Sequence, residues 1–283
     1  MKAAIAAIAF CLAAAGQQKK QQGEDPPFRL PDTVEIRENL VYVSYGSRAM
    51  HLDLFLPKKF NPPIPAIIYI HGGAWRGGNK GAFRRQAAHM AAKGFAGACI
   101  EYRLSGEAKY PAAVEDSVAA LEWVRKHAGE YGFNPKLIGA AGGSAGGHLV
   151  AVLGTIAEPV KAVAAFNPVL DLVVLGKAGR NPAESPLIQF LGGTYQEKPD
   201  VYERASPALH VSKYSAAFLF LHGTQDTTVP YQQSTDMMAK LKAAGVHAEI
   251  FTAEGAGHAF FNRPPWYAPT LKRMDEFFTA QLK

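Results

Sequence analysis

Three features of the sequence predict an α/β domain: a mostly parallel, eight-stranded sheet with helices on both faces and a small lid-like insertion. Of eight strand candidates the last six alternate with helical stretches, several of those six are apolar at every position, and the first two form an antiparallel pair ahead of them. With 283 residues, 48% of them hydrophobic and 11% aromatic, the chain buries a sizeable core and is not a disordered one.

The elements follow in order. Val34 to Tyr45 and Met50 to Leu56 alternate as half-buried strands do, and Gly46-Ser47 marks the hairpin turn between them. Ala66 to Ile70 and Phe95 to Tyr102 are continuous apolar runs, the mark of strands covered on both faces. Gly81 to Lys93 and Ala112 to Tyr131 read as helices, the second with a stripe of Val114, Val118, Leu121, Trp123 and Val124. Lys136 to Ala141, Val160 to Phe166, Ala217 to Leu221 and His247 to Ala253 complete the strands. Helices are expected over Gly147 to Ala157, Tyr231 to Ala244 and Pro269 to Lys283. Asp171 to His210 interrupts the alternation with Pro, Gly and polar residues and one short helix candidate, Ser185 to Gly193. It reads as a small lid over a site, with a plain surface loop as the alternative. No repeat and no second domain is visible between residues 33 and 283.

Met1-Lys2 followed by an apolar run from Ala3 to Ala15 has the pattern of a secretory signal, so residues 1–15 are expected to be removed on export. That run is too short to span a bilayer, and Phe10 before Cys11 disfavours a lipid anchor, so no stable membrane anchor is expected. The alternative is an N-terminal helix of a cytoplasmic protein. Residues 16–32, with Gln17-Gln18, Gln21-Gln22 and Pro26-Pro27, read as a flexible leader. Cleavage leaves Cys99 as the only cysteine, which excludes an intrachain disulfide. The net charge of +6 comes from dispersed Lys and Arg, which reads as a solvated surface rather than a nucleic-acid interface.

Gly142-Gly143-Ser144-Ala145-Gly146 joins a strand directly to a helix. In that context GxSxG forms a nucleophile elbow: the serine occupies strained backbone on a sharp turn, so the residues two before and two after must be small. The alternative is a glycine-rich turn that only packs helix on strand. A serine hydroxyl needs a base and an orienting acid. Two late strands lead into His222-Gly223-Thr224-Gln225-Asp226 and Gly255-Ala256-Gly257-His258, which gives the order Ser144, Asp226, His258. Asp171 also follows a strand and is the rival acid. Among the other histidines, His51, His89, His127 and His247 fall in elements rather than at strand ends. His148 lies on the helix after the elbow, and His210 is a minor candidate for substrate contact. His71-Gly72-Gly73-Ala74-Trp75, after the third strand, places the N–H groups of Gly73 and Ala74, with that of Ala145, as the expected oxyanion donors, and His71 is expected to brace that loop.

With HGGAW, EYRL (Glu101 to Leu104), GGSAGGHL, HGTQDTTVPYQQS (His222 to Ser234) and GAGHAFF (Gly255 to Phe261), the chain resembles the α/β-hydrolase superfamily over nearly all of residues 33–283. Within it, the chain looks like the hormone-sensitive-lipase-like esterases and most like the bacterial acetyl-xylan and feruloyl esterase (BD-FAE-like) group. The resemblance implies a carboxylic ester hydrolase with no cofactor and no metal, acting on a small-molecule or polysaccharide-linked ester. Ser144 would be its nucleophile, His258 its base and Asp226 the orienting acid. Ala74 stands where the family's HGGG loop has a third glycine, which leaves the oxyanion hole intact if φ is negative there. Only a short leader precedes the hairpin, so the family's larger N-terminal helical cap is expected to be absent. Access would then be shaped by Asp171 to His210, with Trp75, Phe260 and Phe261 at the substrate; simple packing is the alternative for these rings. An arylformamidase or a small-peptide hydrolase is the enzymatic alternative, since such enzymes share the HGGxW loop or the triad order. A non-catalytic binding module is disfavoured by the presence of all three triad residues, and a long-chain lipase by the lack of a long amphipathic lid helix.

Overall fold

The computed structural model describes residues 28–156, 159–179 and 185–283. The expected signal peptide, most of the leader and Ala157 lie outside the described residues. Eight strands form one sheet: β1 (Val34–Tyr45), β2 (Arg48–Pro57), β3 (Ile64–Ile70), β4 (Ala96–Ile100), β5 (Phe133–Gly143), β6 (Ala162–Phe166), β7 (Ala217–Gly223) and β8 (Ala248–Ala253). Their spatial order is β1-β2-β4-β3-β5-β6-β7-β8. β1 and β2 pair antiparallel, β2 joins β4 antiparallel, and all later pairings are parallel. This is the mostly parallel eight-stranded sheet of an α/β-hydrolase.

The apolar runs are strands because both of their faces are covered. In β3, Ala66, Ile68 and Ile70 enter the core on one side of the sheet while Ile67 and Tyr69 enter the core on the other. The first core is closed by α2 (Ala112–Lys126), α4 (Ala145–Leu153) and α8 (Gln232–Ala243), and the second by α1 (Arg84–Ala92) and α9 (Tyr267–Leu282). Burying so many aliphatic and aromatic side chains, each contributing about 1.5–3 kcal/mol, is the main stabilising term.

Three expectations are corrected. The helix predicted over Ala112 to Tyr131 breaks at His127, whose Nδ1–H donates to the Trp123 carbonyl at 2.8 Å, and α3 (Ala128–Tyr131) follows as a separate turn. The end of the expected leader is anchored: Phe28 and Leu30 pack against the second core, and the Arg84 guanidinium lies 4.7 Å from the Phe28 ring centre. Among its described residues, the Asp171 to His210 segment holds three short helices rather than one, α5 (Leu172–Lys177), α6 (Pro186–Leu191) and α7 (Pro199–Arg204), then a 3-10 turn over Pro207–Leu209.

Candidate active site

β5 ends at Gly143 and α4 begins at Ala145, so Ser144 occupies the joint, with φ 55° and ψ −117°. The strain is held from both sides: the Ser144 N–H donates to the Phe166 carbonyl at 2.8 Å, and the Ser144 carbonyl accepts from the His148 N–H at 3.0 Å. The small residues around it are required by backbone crowding. A Cβ on Gly142 would lie 2.5 Å from the Gly146 carbonyl oxygen and 2.8 Å from that of Ile70; one on Gly146 would lie 2.6 Å from the His71 oxygen.

The late strands bring the partners to this point. The Ser144 hydroxyl donates to His258 Nε2 at 2.9 Å, and His258 Nδ1–H donates to Asp226 Oδ2 at 2.7 Å. Asp226 Oδ1 accepts the N–H groups of Thr228 and Val229, both at 2.9 Å, which fixes the carboxylate. His222 adds a further N–H beside the carboxylate: its Nε2–H donates to the Val229 carbonyl at 3.0 Å and lies 3.3 Å from Asp226 Oδ2, while its Nδ1 accepts from the Ser234 hydroxyl at 2.7 Å. Burial pushes the Asp226 carboxyl up, but the hydrogen bonds from His222, His258 and the Val229 N–H outweigh it and hold the group well below the usual carboxylate range. It therefore stays ionised beside the His258 imidazole.

The rival acid is elsewhere. Asp171 caps α5, its Oδ1 accepting the Val174 N–H at 3.0 Å. Three other histidines are engaged in structural contacts: His51 bonds Glu101, His89 bonds Asp275, and His210 bonds the carbonyls of Glu203 and Arg204.

The His71 to Trp75 loop lies directly against the elbow: a Cβ on Gly72 would be 2.7 Å from the Gly143 oxygen and 3.4 Å from Ser144 Cβ. Gly73, Ala74 and Trp75 have φ of 120°, 56° and 55°. The negative φ expected at Ala74 is thus not what the chain adopts; the N–H survives, but in left-handed backbone that costs an L residue roughly 1–2 kcal/mol. The Ala145 N–H, in the first turn of α4, has no intrahelical acceptor. His71 braces the loop as expected. Its Nδ1–H donates to the Gly72 carbonyl at 2.7 Å, its ring stacks on Tyr102 at 4.3 Å, and burial lowers its pKa despite that hydrogen bond.

Trp75 and Phe260 are only 4% and 7% exposed, and their rings meet protein: Trp75 meets Phe190 and His148, and Phe260 meets Phe261 and Trp266. Their positions match the packing alternative. Two residues near the triad were not picked out by sequence reasoning. Asn167 directly follows β6 with φ 36°, is fully buried, and places Nδ2 3.5 Å from His258 Nε2. His222 supports Asp226 as described. For both, the available signal was position at the carboxyl end of a parallel strand.

The BD-FAE family model matches residues 52–241. The probable carboxylic ester hydrolase LipM of Mycobacterium tuberculosis (strain ATCC 25618 / H37Rv) is 33% identical over 243 residues, covering 77% of this chain and 55% of LipM. Esterase LipC of the same strain is 30% identical, covering 77% and 59%. The chain thus spans little more than half the length of these curated relatives. Among solved structures, a truncated carbohydrate esterase from gut microbiota superposes with a TM-score of 0.78 at 30% identity, covering 88% of this chain and 97% of that one. Esterase 2 of Thermogutta terrifontis, solved with propionate and with butyrate bound, gives TM-scores of 0.75 and 0.76, both at 30% identity; the coverage is 88% and 89% of this chain and 94% and 97% of that one. An elbow, an acid and a histidine in hydrolase order on this sheet, together with a family match over most of the domain, lead to one conclusion: the chain belongs to the BD-FAE family of the α/β-hydrolase fold.

Proposed function

We propose that this protein is a serine carboxylic ester hydrolase that cleaves short-chain acyl esters through an acyl-enzyme. The observation that carries the reading is the unbroken line from Ser144 Oγ through His258 to the ionised Asp226, at 2.9 and 2.7 Å. Ser144 Oγ attacks the acyl carbon as its proton passes to His258 Nε2. The carbonyl oxygen becomes an oxyanion facing the N–H groups of Gly73, Ala74 and Ala145, each such donor contributing roughly 3–4 kcal/mol to the barrier reduction. Collapse breaks the bond to the alcohol oxygen, which takes the proton from Nε2. Water, deprotonated by the same nitrogen, then attacks the acyl-enzyme, and Ser144 recovers its proton as the acid leaves. Asp226 keeps the imidazole in the Nδ1–H tautomer throughout.

Two likenesses support the finer reading. The likeness to a gut carbohydrate esterase supports an ester carried on a carbohydrate, which we read as an acetyl or feruloyl ester on plant polysaccharide, and the propionate- and butyrate-bound esterase 2 supports a small acyl group. The apolar N-terminal run supports export, so the enzyme is proposed to act in the periplasm or outside the cell. Hydrolysis of p-nitrophenyl acetate to decanoate, methyl ferulate, acetylated xylan and N-formylkynurenine by wild type and Ser144→Ala tests it. Serine-dependent release concentrated on short esters, with acetylated xylan or ferulate among the substrates, is expected. Turnover of formylkynurenine alone, or ester turnover that survives Ser144→Ala, would overturn it.

A further inference from the structure

His148 lies four residues after the nucleophile and is completely buried, yet it has no part in the proton relay. Its two ring nitrogens hold two different parts of the site. Nδ1 accepts from the indole N–H of Trp75 at 3.2 Å, and Nε2–H donates to the Ala205 carbonyl at 2.8 Å. Only the neutral Nε2–H tautomer satisfies both bonds, because Trp75 offers only a donor and Ala205 only an acceptor. Burial lowers the His148 pKa to about 4, so the ring is neutral where ester hydrolases work.

The Trp75 end of this chain is where the strain sits. Gly73, Ala74 and Trp75 are three consecutive left-handed residues, two of them with a Cβ, in the loop that carries the oxyanion donors. Such backbone persists only when its surroundings over-determine it. Three contacts do so at Trp75: its carbonyl accepts from the Ser105 N–H at 2.7 Å, its indole stacks on Phe190 of α6 at 4.5 Å, and its N–H reaches His148.

We propose that His148 is a positioning residue for the oxyanion hole, anchoring the left-handed Ala74-Trp75 backbone to the nucleophile helix and, through Ala205, to the Asp171–His210 segment. The inference rests on the serine-hydrolase reading above. Charge develops on the oxyanion only during reaction, so a loosened loop lowers kcat and leaves ground-state binding nearly unchanged.

The test uses steady-state kinetics on p-nitrophenyl acetate with the full chain. Trp75→Phe keeps an aromatic ring to stack on Phe190 but deletes the N–H; His148→Phe keeps a planar ring but deletes both nitrogens. Each is expected to lower kcat about tenfold to a hundredfold with KM within about threefold, and the double variant to be no worse than the poorer single one. His148→Asn places an amide oxygen near the Nδ1 position and is expected to recover most of the loss, whereas His148→Gln, whose amide reaches the Nε2 position instead, is not. A Trp75→Phe enzyme within twofold of wild-type kcat, additive losses in the double variant, or a loss confined to KM would overturn the proposal. Should His148→Phe fail to fold, Trp75→Phe with the Asn and Gln pair decides alone. A wild type as inactive as Ser144→Ala would instead overturn the serine-hydrolase reading; in that case the near-UV circular dichroism of Trp75, taken as the wild-type minus Trp75→Phe difference, reports the anchor. Its change in His148→Gln but not in His148→Asn supports the anchor, and no change in either overturns it.

Discussion

Replacing Gly142 by Ala adds one methyl group to a point of the elbow crowded by backbone on two sides. That Cβ would sit 2.5 Å from the Gly146 carbonyl oxygen, 2.7 Å from the Gly146 carbonyl carbon and 2.8 Å from the Ile70 oxygen, whereas ordinary contact begins near 3.4 Å. The gap of about 0.9 Å, 3.4 less 2.5, cannot close by a side-chain rotation, because every atom met is backbone. Gly142 is also paired in register with Ile70 on β3 and Ala165 on β6, so β5 cannot slide away. Either α4 lifts or the β3 end moves, and each carries part of the site. Overpacking of this kind costs about 1–3 kcal/mol, and moving a reacting group by about 1 Å costs on the order of a hundredfold in rate. Gly142→Ala should therefore lower kcat/KM by about a hundredfold and lower the urea midpoint. Gly129→Ala, with nothing within 4 Å of its Cβ in α3, should leave kcat/KM unchanged and stabilise by up to about 1 kcal/mol. Retention of wild-type kcat/KM and midpoint by Gly142→Ala would refute the crowding argument.

Asp226→Asn should lower kcat by about 10³–10⁴ by admitting the wrong His258 tautomer, while Asp171→Asn, at an N-cap that Asn fills as well as Asp, should stay within about twofold; the opposite ranking in ester hydrolysis would move the acid to Asp171. Stability should fall as pH drops from about 6.5 to 4, because His71 and His148 are held neutral in the fold at pH values where the unfolded chain binds protons. For His148 the lowering from 6.5 to about 4 corresponds to on the order of 3 kcal/mol, fully lost only below pH 4. Asp226 acts below this window: its stabilisation is present above the unfolded carboxylate pKa near 3.9 and is lost as pH falls through its depressed folded value. Urea melts of His148→Gln should show a shallower decline between pH 7 and 4.5 than wild type, and parallel declines would contradict this.

The sheet was legible because its strands are covered on both faces. Ala66 to Ile70 and Ala217 to Leu221 are continuous apolar runs, and their five-residue length and the His-Gly that follows each, rather than any period, separate them from the helices around them. The triad was legible because a parallel sheet sends chemistry to strand ends, so Ser144, Asp226 and His258 occupy the same kind of place on three strands. Features set by tertiary contact were hidden. β5 runs on through Gly142-Gly143 because ladder partners on both sides hold residues of low strand propensity. α5, α6 and α7 are too short to carry a periodic stripe and are held by contacts such as the Tyr110 N–H on the Phe190 carbonyl at 2.8 Å. The left-handed backbone at Ala74 has no local signature, since alanine gives no reason to expect it; the cause lies in Ser105, His148 and Phe190, distant in sequence.

The claim that Ser144 is the nucleophile is tested most directly by treating the protein with diisopropyl fluorophosphate and locating the adduct by peptide mass spectrometry alongside residual esterase activity. One adduct per chain on Ser144, formed in step with loss of hydrolysis and absent from Ser144→Ala and from denatured protein, is the predicted result. An adduct on another residue that tracks the loss, or full hydrolysis after Ser144 is modified, would contradict the account.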